Sequence, residues 1–156
     1  MAKLLNIELK ARIPDIDSAE NIVKKLGAKF HGEDHQVDTY FQTKKGRLKL
    51  RSGNIENSLI FYERSNEKCG RQSRIILEEL SQNSLVGDIL EKSNEIFAIV
   101  DKVRKIYFLD NIKIHFDAVK ELGEFMEIEV IDQNHTENES ALKKQLTWLG
   151  SECGIR

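Results

Sequence analysis

The sequence predicts an α+β fold that is mainly β: eight strands in one large antiparallel sheet, curled or closed on itself, with about three helices outside it. Three observations carry this. Period-two alternation or β-rich composition recurs over 4–12, 37–43, 47–53, 58–64, 72–80, 98–109, 112–119 and 124–132. Short turns of the hairpin kind, Asp110-Asn111 and Leu122-Gly123, join the later strands. Charged and apolar residues also sort by parity, as side chains on opposite faces of a strand must. The 156 residues read as a single domain, 1–156, without repeats or a low-complexity linker.

The first strand shows the parity rule most plainly. Glu8, Lys10 and Arg12 share one face, and Ile7, Leu9 and Ala11 share the other. On the charged faces follow Asp38 and Tyr40; Arg47, Lys49 and Arg51; Tyr62 and Arg64; Lys102 and Arg104; Lys113, His115 and Asp117; and Glu127 and Glu129. The opposite faces are aliphatic or aromatic, as in Ile112, Ile114 and Phe116 or Met126, Ile128 and Val130. A first helix is expected over 16–27, with Asp15 or Asp17 as N-cap, an Ile16/Ala19/Ile22/Val23/Leu26 stripe and Gly27 closing it. A second, over 84–96, has Ser84 as cap and repeats Leu85, Ile89, Leu90 and Ile96. A third, over 137–149, packs through Ala141, Leu142, Leu146, Trp148 and Leu149 before Gly150.

Composition narrows the function classes. Charge is dense, at 32% DEKR, but balanced to a net −2, so the basic footprint of nucleic-acid binding is missing. No apolar run is long enough for a membrane span, and the N-terminus runs into the first strand without the apolar core of a signal peptide. Cys69 and Cys153 lack a paired-ligand spacing, which fits reduced thiols in the cytoplasm. His31, His35 and His135 are placed in loops without metal-ligand spacing. Arg71 and Arg74 fall at the entry to the fifth strand, over a tunnel mouth or in water.

Two architectures remain open on patterning. In one, the sheet is half solvated, with its charged face in water. In the other, it closes with the charges inward. Enclosed charges are costly unless paired or bound to a ligand, so closure implies a ligand-filled lumen wide enough for one small molecule. Carboxylates on the first and last strands, with arginine and lysine strands between, point to a metal ion and a polyphosphate.

These residues resemble the CYTH family, named for class IV adenylate cyclase and thiamine triphosphatase, within the triphosphate tunnel metalloenzymes. Glu8-Leu9-Lys10 matches the second Glu and the Lys of the family's ExExK signature. Val37-Asp38-Thr39-Tyr40-Phe41, Leu48-Lys49-Leu50-Arg51, Leu59 through Arg64 and Lys102-Val103-Arg104 are similar to its successive strand motifs. His115-Phe116-Asp117, then Leu122-Gly123-Glu124-Phe125-Met126-Glu127-Ile128-Glu129, resembles its C-terminal block. The resemblance implies a closed eight-stranded antiparallel tunnel with helices outside.

It also implies roles. Glu8, Glu127 and Glu129 would hold Mg²⁺ or Mn²⁺. Lys10, Lys49, Arg51, Arg64, Lys102, Arg104 and Lys113 would grip the phosphates, with Tyr40 and Tyr62 orienting oxygens. Lys10 and Arg104 would stabilise charge on the leaving phosphate, and Asp117 would position or activate the nucleophile or bind a second metal. His115 would be a hydrogen-bonded tunnel histidine or a proton carrier. The reaction nearest by resemblance is conversion of ATP to cyclic AMP and pyrophosphate. Tripolyphosphate or thiamine triphosphate hydrolysis comes second, and a non-catalytic nucleotide or polyphosphate binder third. Asn6, standing where the signature has its first Glu, brings no charge; it bears on a second metal site and keeps the third reading in play. Barrel surface left bare by three short helices would favour a homodimer.

Overall fold

The sheet becomes a barrel because β1 is hydrogen-bonded along both edges. The structure, a computed structural model, describes residues 2–64, 71–132 and 138–155, with side chains left aside at 2–5, 64 and 71–73. Its elements are β1 (Ala2–Arg12), α1 (Ile16–Lys25), β2 (Lys29–Phe41), β3 (Arg47–Ser52), β4 (Ser58–Arg64), β5 (Arg71–Glu79), α2 (Val86–Ser93), β6 (Ile96–Leu109), β7 (Ile112–Val119), β8 (Gly123–Ile131) and α3 (Glu139–Glu152). The strands run β1-β5-β4-β3-β2-β6-β7-β8 around a closed, antiparallel barrel. Closure rests on β1 pairing with β5, Asn6 opposite Ser73, and with β8, Glu8 opposite Glu129 and Lys10 opposite Glu127.

That register turns the charged parity inward. The apolar core lies outside the barrel wall, where Ile7, Ile112, Ile114, Phe116, Met126, Ile128 and Val130 meet Ala19 and Val23 of α1 and Leu142, Leu146 and Leu149 of α3. Asp15 caps α1, accepting from Ser18 N at 3.1 Å, and Glu20 ties the helix to β6 by accepting from the Tyr107 hydroxyl. Asn138 caps α3 in the same way, through Ala141 N.

Several expectations are corrected. β2 begins at Lys29, eight residues earlier than alternation indicates, so His31 and His35 lie on a strand; His35 Nε2 meets Asp101 Oδ1 at 2.7 Å. A register shift between Phe30 and Gly32 breaks the parity there. His135 lies outside the described residues. The second helix is shorter, Val86–Ser93, and Ile96 belongs to β6. Ser84 precedes the N-cap, Leu85, and its Oγ accepts from Val86 N at 3.2 Å. This helix does not cover the barrel as α1 and α3 do. It buries no residue, leaving Leu85 and Ile89 at 68% and 63% exposure. It touches the wall through Gly87, where a Cβ would lie 3.0 Å from Leu50. On α3, Trp148 and Ala141 face out, and packing falls to Leu142, Leu146, Leu149 and Gly150.

Candidate active site

All eight strands line an internal cavity of about 120 Å³. Lys49 and Arg51 of β3, Lys102 and Arg104 of β6, and Lys113 of β7 give it a cationic side. Ile60 of β4 and Ile75 and Leu77 of β5 give it an apolar one. Glu127 and Glu129 of β8, with Glu8 and Lys10 of β1, complete the wall.

Two aspartates aim the arginines. Asp38 of β2 holds Arg51 by a fork, Nε and Nη2 each at 2.9 Å, and Asp117 of β7 holds Arg104 likewise at 2.8 and 2.8 Å. All four residues are buried. Such bidentate pairs fix the plane of the guanidinium. Lys102 bridges the two carboxylates, 3.2 Å from Asp38 and 3.8 Å from Asp117. Burial alone would raise Asp38 and Asp117, but the hydrogen bonds and charges of Arg51 and Arg104 hold both below the usual carboxylate range.

The lysines pay for enclosure in proton affinity. Burial, then the charge of Arg51, pulls Lys49 down to about 7; burial, then Arg104 and Arg51, pulls Lys102 down to about 8. Lys49 lies over the rings of Tyr62 and Tyr40, 5.3 and 5.6 Å from their centroids. Burial, followed by the proximity of Tyr62 and Asp38, raises Tyr40.

On β7 and β8, His115, Glu127 and Glu129 converge, one donor atom from each lying within 4.8 Å of the others. His115 is 1% exposed, and neither ring nitrogen has a hydrogen-bond partner. Its Nδ1 approaches Glu127 Oε1 at 3.4 Å without aligning to it. Burial and the Arg104 charge push His115 down to about 3, so the ring is neutral near pH 7, as a metal-binding imidazole must be. Glu129 is raised by burial and by the neighbouring Glu127 charge. Burial would raise Glu127 too, but a hydrogen bond with Glu129 and the charge of Arg104 hold it low. A buried, unsatisfied imidazole beside two crowded carboxylates fits a divalent cation.

The expected residues divide by depth. Lys49, Arg51, Lys102, Arg104, Lys113, Glu8, Glu127, Glu129 and Tyr40 all reach the cavity. Lys10 lines it at an exposed position over the Phe125 ring, where exposed Arg12 also stacks. Asp117 does not line it, being taken up by Arg104. The Arg64 and Arg71 side chains lie outside the description, and Arg74 is exposed. Sequence reasoning passed over Asp34, Gln36 and Glu56, the apolar wall, and the pairing of His115 with Glu127. Hairpin counting would have found the last: with Val119 opposite Gly123, His115 must oppose Glu127.

Comparison with known proteins bears out the fold. A protein of Methanocaldococcus jannaschii, provisionally named an adenylate cyclase, is 23% identical over 154 residues, covering 94% of this chain and 88% of its own. A Pyrococcus horikoshii OT3 structure superposes with a TM-score of 0.81 at 24% identity, over 97% of this chain and 91% of that one. A Vibrio parahaemolyticus structure, again provisionally named an adenylate cyclase, gives 0.75 at 19% identity, over 97% and 89%. The CYTH domain family model matches residues 4–152, and the chain belongs to the CYTH domain family.

Proposed function

We propose that the protein is a divalent-metal-dependent enzyme that converts ATP to cyclic AMP and pyrophosphate inside the barrel. The observation that carries this is the meeting, in one lumen, of a cation set aimed by buried aspartates and of Glu127 and Glu129, with which His115 converges. A Mg²⁺ or Mn²⁺ ion held there would draw phosphate oxygens and offset charge on the departing pyrophosphate. Arg51, Lys102, Arg104 and Lys113 grip the phosphate chain, and Lys49 and Tyr40 orient it. Asp117 is a positioning residue, holding the Arg104 plane. Ile60, Ile75 and Leu77 favour a substrate with an organic portion, and the name of the M. jannaschii relative supports the cyclase. Hydrolysis of tripolyphosphate or thiamine triphosphate is the second reading, favoured by a lumen dense in cations.

Incubation with ATP, tripolyphosphate and thiamine triphosphate, each with Mg²⁺ or Mn²⁺, separates them. Cyclic AMP with pyrophosphate is expected. Orthophosphate release would replace the cyclase with a hydrolase, and binding without turnover would leave a sensor.

The buried lysines also set a pH dependence. Lys49 and Lys102 sit near 7 and 8 when folded, against 10.5 as free side chains. Above about pH 7 the folded state therefore binds fewer protons than the unfolded state, and the free protein gains stability as pH rises toward 10.5. Triphosphate affinity moves oppositely. The anion favours the charged lysines, so its binding takes up protons and weakens by about tenfold per pH unit for each lysine that titrates. Calorimetry from pH 7 to 9 in buffers of differing ionisation enthalpy measures the uptake; zero uptake would show that neither lysine titrates in the lumen.

A further inference from the structure

Glu56 lies on no strand, yet its carboxylate reaches the centre of the cationic wall. It belongs to the turn between β3 and β4, and three devices build that turn. Asp34, fully buried on β2, accepts from the backbone N–H groups of Asn54, Ile55 and Glu56 at 2.6, 2.9 and 2.9 Å. Asn57 Oδ1 accepts from Gly53 N at 3.1 Å, and Asn54 Oδ1 from His35 N at 3.2 Å. Gly53 has no alternative, because a Cβ there would lie 2.7 Å from both Asp34 carboxylate oxygens. A turn pinned this thoroughly delivers its one acidic side chain to a fixed place.

That place is an anion site. Glu56 Oε1 accepts from Gln36 Nε2 at 2.7 Å and lies 3.6 Å from Arg51 Nη1 and 3.8 Å from Arg104 Nη1; Oε2 pairs with Lys113. The geometry of the aspartate forks explains the convergence. Asp38 and Asp117 occupy the Nε–Nη2 edges, so both arginines are left with Nη1 for the lumen, and both meet at Glu56. These are cations that the proposed reaction needs for phosphate. A cavity of about 120 Å³ remains beside Glu56.

We propose that Glu56 is an internal stand-in for a phosphate group, which must leave its cations when a triphosphate chain enters and so sets the affinity of the lumen for its substrate. This deepens the triphosphate reading and rests on it. Withdrawal needs no loop motion. Asp34 grips only the backbone of the turn, whereas the Glu56 side chain has rotatable bonds and is 21% exposed, so it has a route to water. The phosphate that binds at these cations has first to displace the Glu56 carboxylate already paired there, and wild-type affinity is lowered accordingly.

The test is calorimetric titration of the metal-free protein with tripolyphosphate, comparing wild type with Glu56→Gln. Gln keeps the size and removes the competing charge, so binding is expected to tighten by about tenfold or more. Unchanged or weaker binding would overturn the proposal, leaving Glu56 a fixed counter-ion and the triphosphate reading intact. No binding by either protein, without metal or with Mg²⁺ present, would overturn both. Should Glu56→Gln fold poorly, a crystal structure of the wild type with tripolyphosphate decides. Glu56 turned out of the lumen is the expected result, and Glu56 still paired with Lys113 beside bound ligand refutes it.

Discussion

Arg104→Ala should cost the fold about 3–5 kcal/mol, the loss expected when one partner of a buried ion pair is removed. It should also lower kcat/KM on a triphosphate by about 10²–10³-fold, the scale of losing one preorganised donor. Both effects come from one geometry. Arg104 is 2% exposed and Asp117 1%, joined at 2.8 Å along both edges. Without the guanidinium, Asp117 keeps only the 3.8 Å approach of Lys102 among the described ion pairs, too long for a hydrogen bond. The lumen simultaneously loses the Nη1 group that faces it. Stability and chemistry can be separated. Arg104→Met combined with Asp117→Leu removes the whole pair, and replacing a buried pair by apolar residues is often close to neutral for folding. Urea unfolding should therefore show recovered stability in the double variant, while kcat/KM stays low. A single variant that lost less than about 1 kcal/mol would mean that the buried fork contributes no more than an exposed ion pair.

Parity carried most of the barrel, and the places where it failed have physical reasons. Along β7 and β8, strict alternation assigned every lumen residue from Lys113 to Glu129, because one face is packed on helices and the other is polar. The first half of β2 defeated it: Lys29 to Gln36 is polar on both faces apart from Phe30, and the irregularity at Phe30–Gly32 shifts the phase. β5 defeated it in the opposite sense. Ile75-Ile76-Leu77 is apolar on both faces, so nothing in the run shows that Ile75 and Leu77 line the cavity while Ile76 points out at 38% exposure. Closure is a matter of long-range pairing, and only the family motifs made Glu8 and Glu129 neighbours in advance. Glu56 was out of reach for a different reason: a turn has no period, and its aim depends on Asp34, twenty-two residues away.

Glu127→Gln or Glu129→Gln should abolish binding of Mn²⁺, and turnover with it, while leaving the fold intact. The two carboxylates stand two residues apart on one face of β8, and burial with mutual repulsion raises Glu129. A group raised in the folded state contributes stability at low pH that is lost as pH rises past the ordinary carboxylate value, so the metal-free protein carries a cost near neutrality. Glu129→Gln removes that cost. Its metal-free melting temperature should equal or exceed that of the wild type, although the upward shift that Mn²⁺ gives the wild type disappears. Loss of structure alone would lower both, which makes the combination diagnostic. Electron paramagnetic resonance of Mn²⁺ supplies a readout independent of activity; a variant with wild-type affinity would remove the β8 pair from the site. His115→Ala tests the nitrogen donor. Imidazole suits later transition metals better than Mg²⁺. Co²⁺ affinity should fall by at least the about 10–100-fold that loss of a supporting partner costs a metal site, and Mg²⁺ affinity by less. Glu8 faces Glu129 across the β1–β8 seam but contributes no atom to the three-donor group, so Glu8→Gln should weaken Mn²⁺ binding less than either β8 substitution.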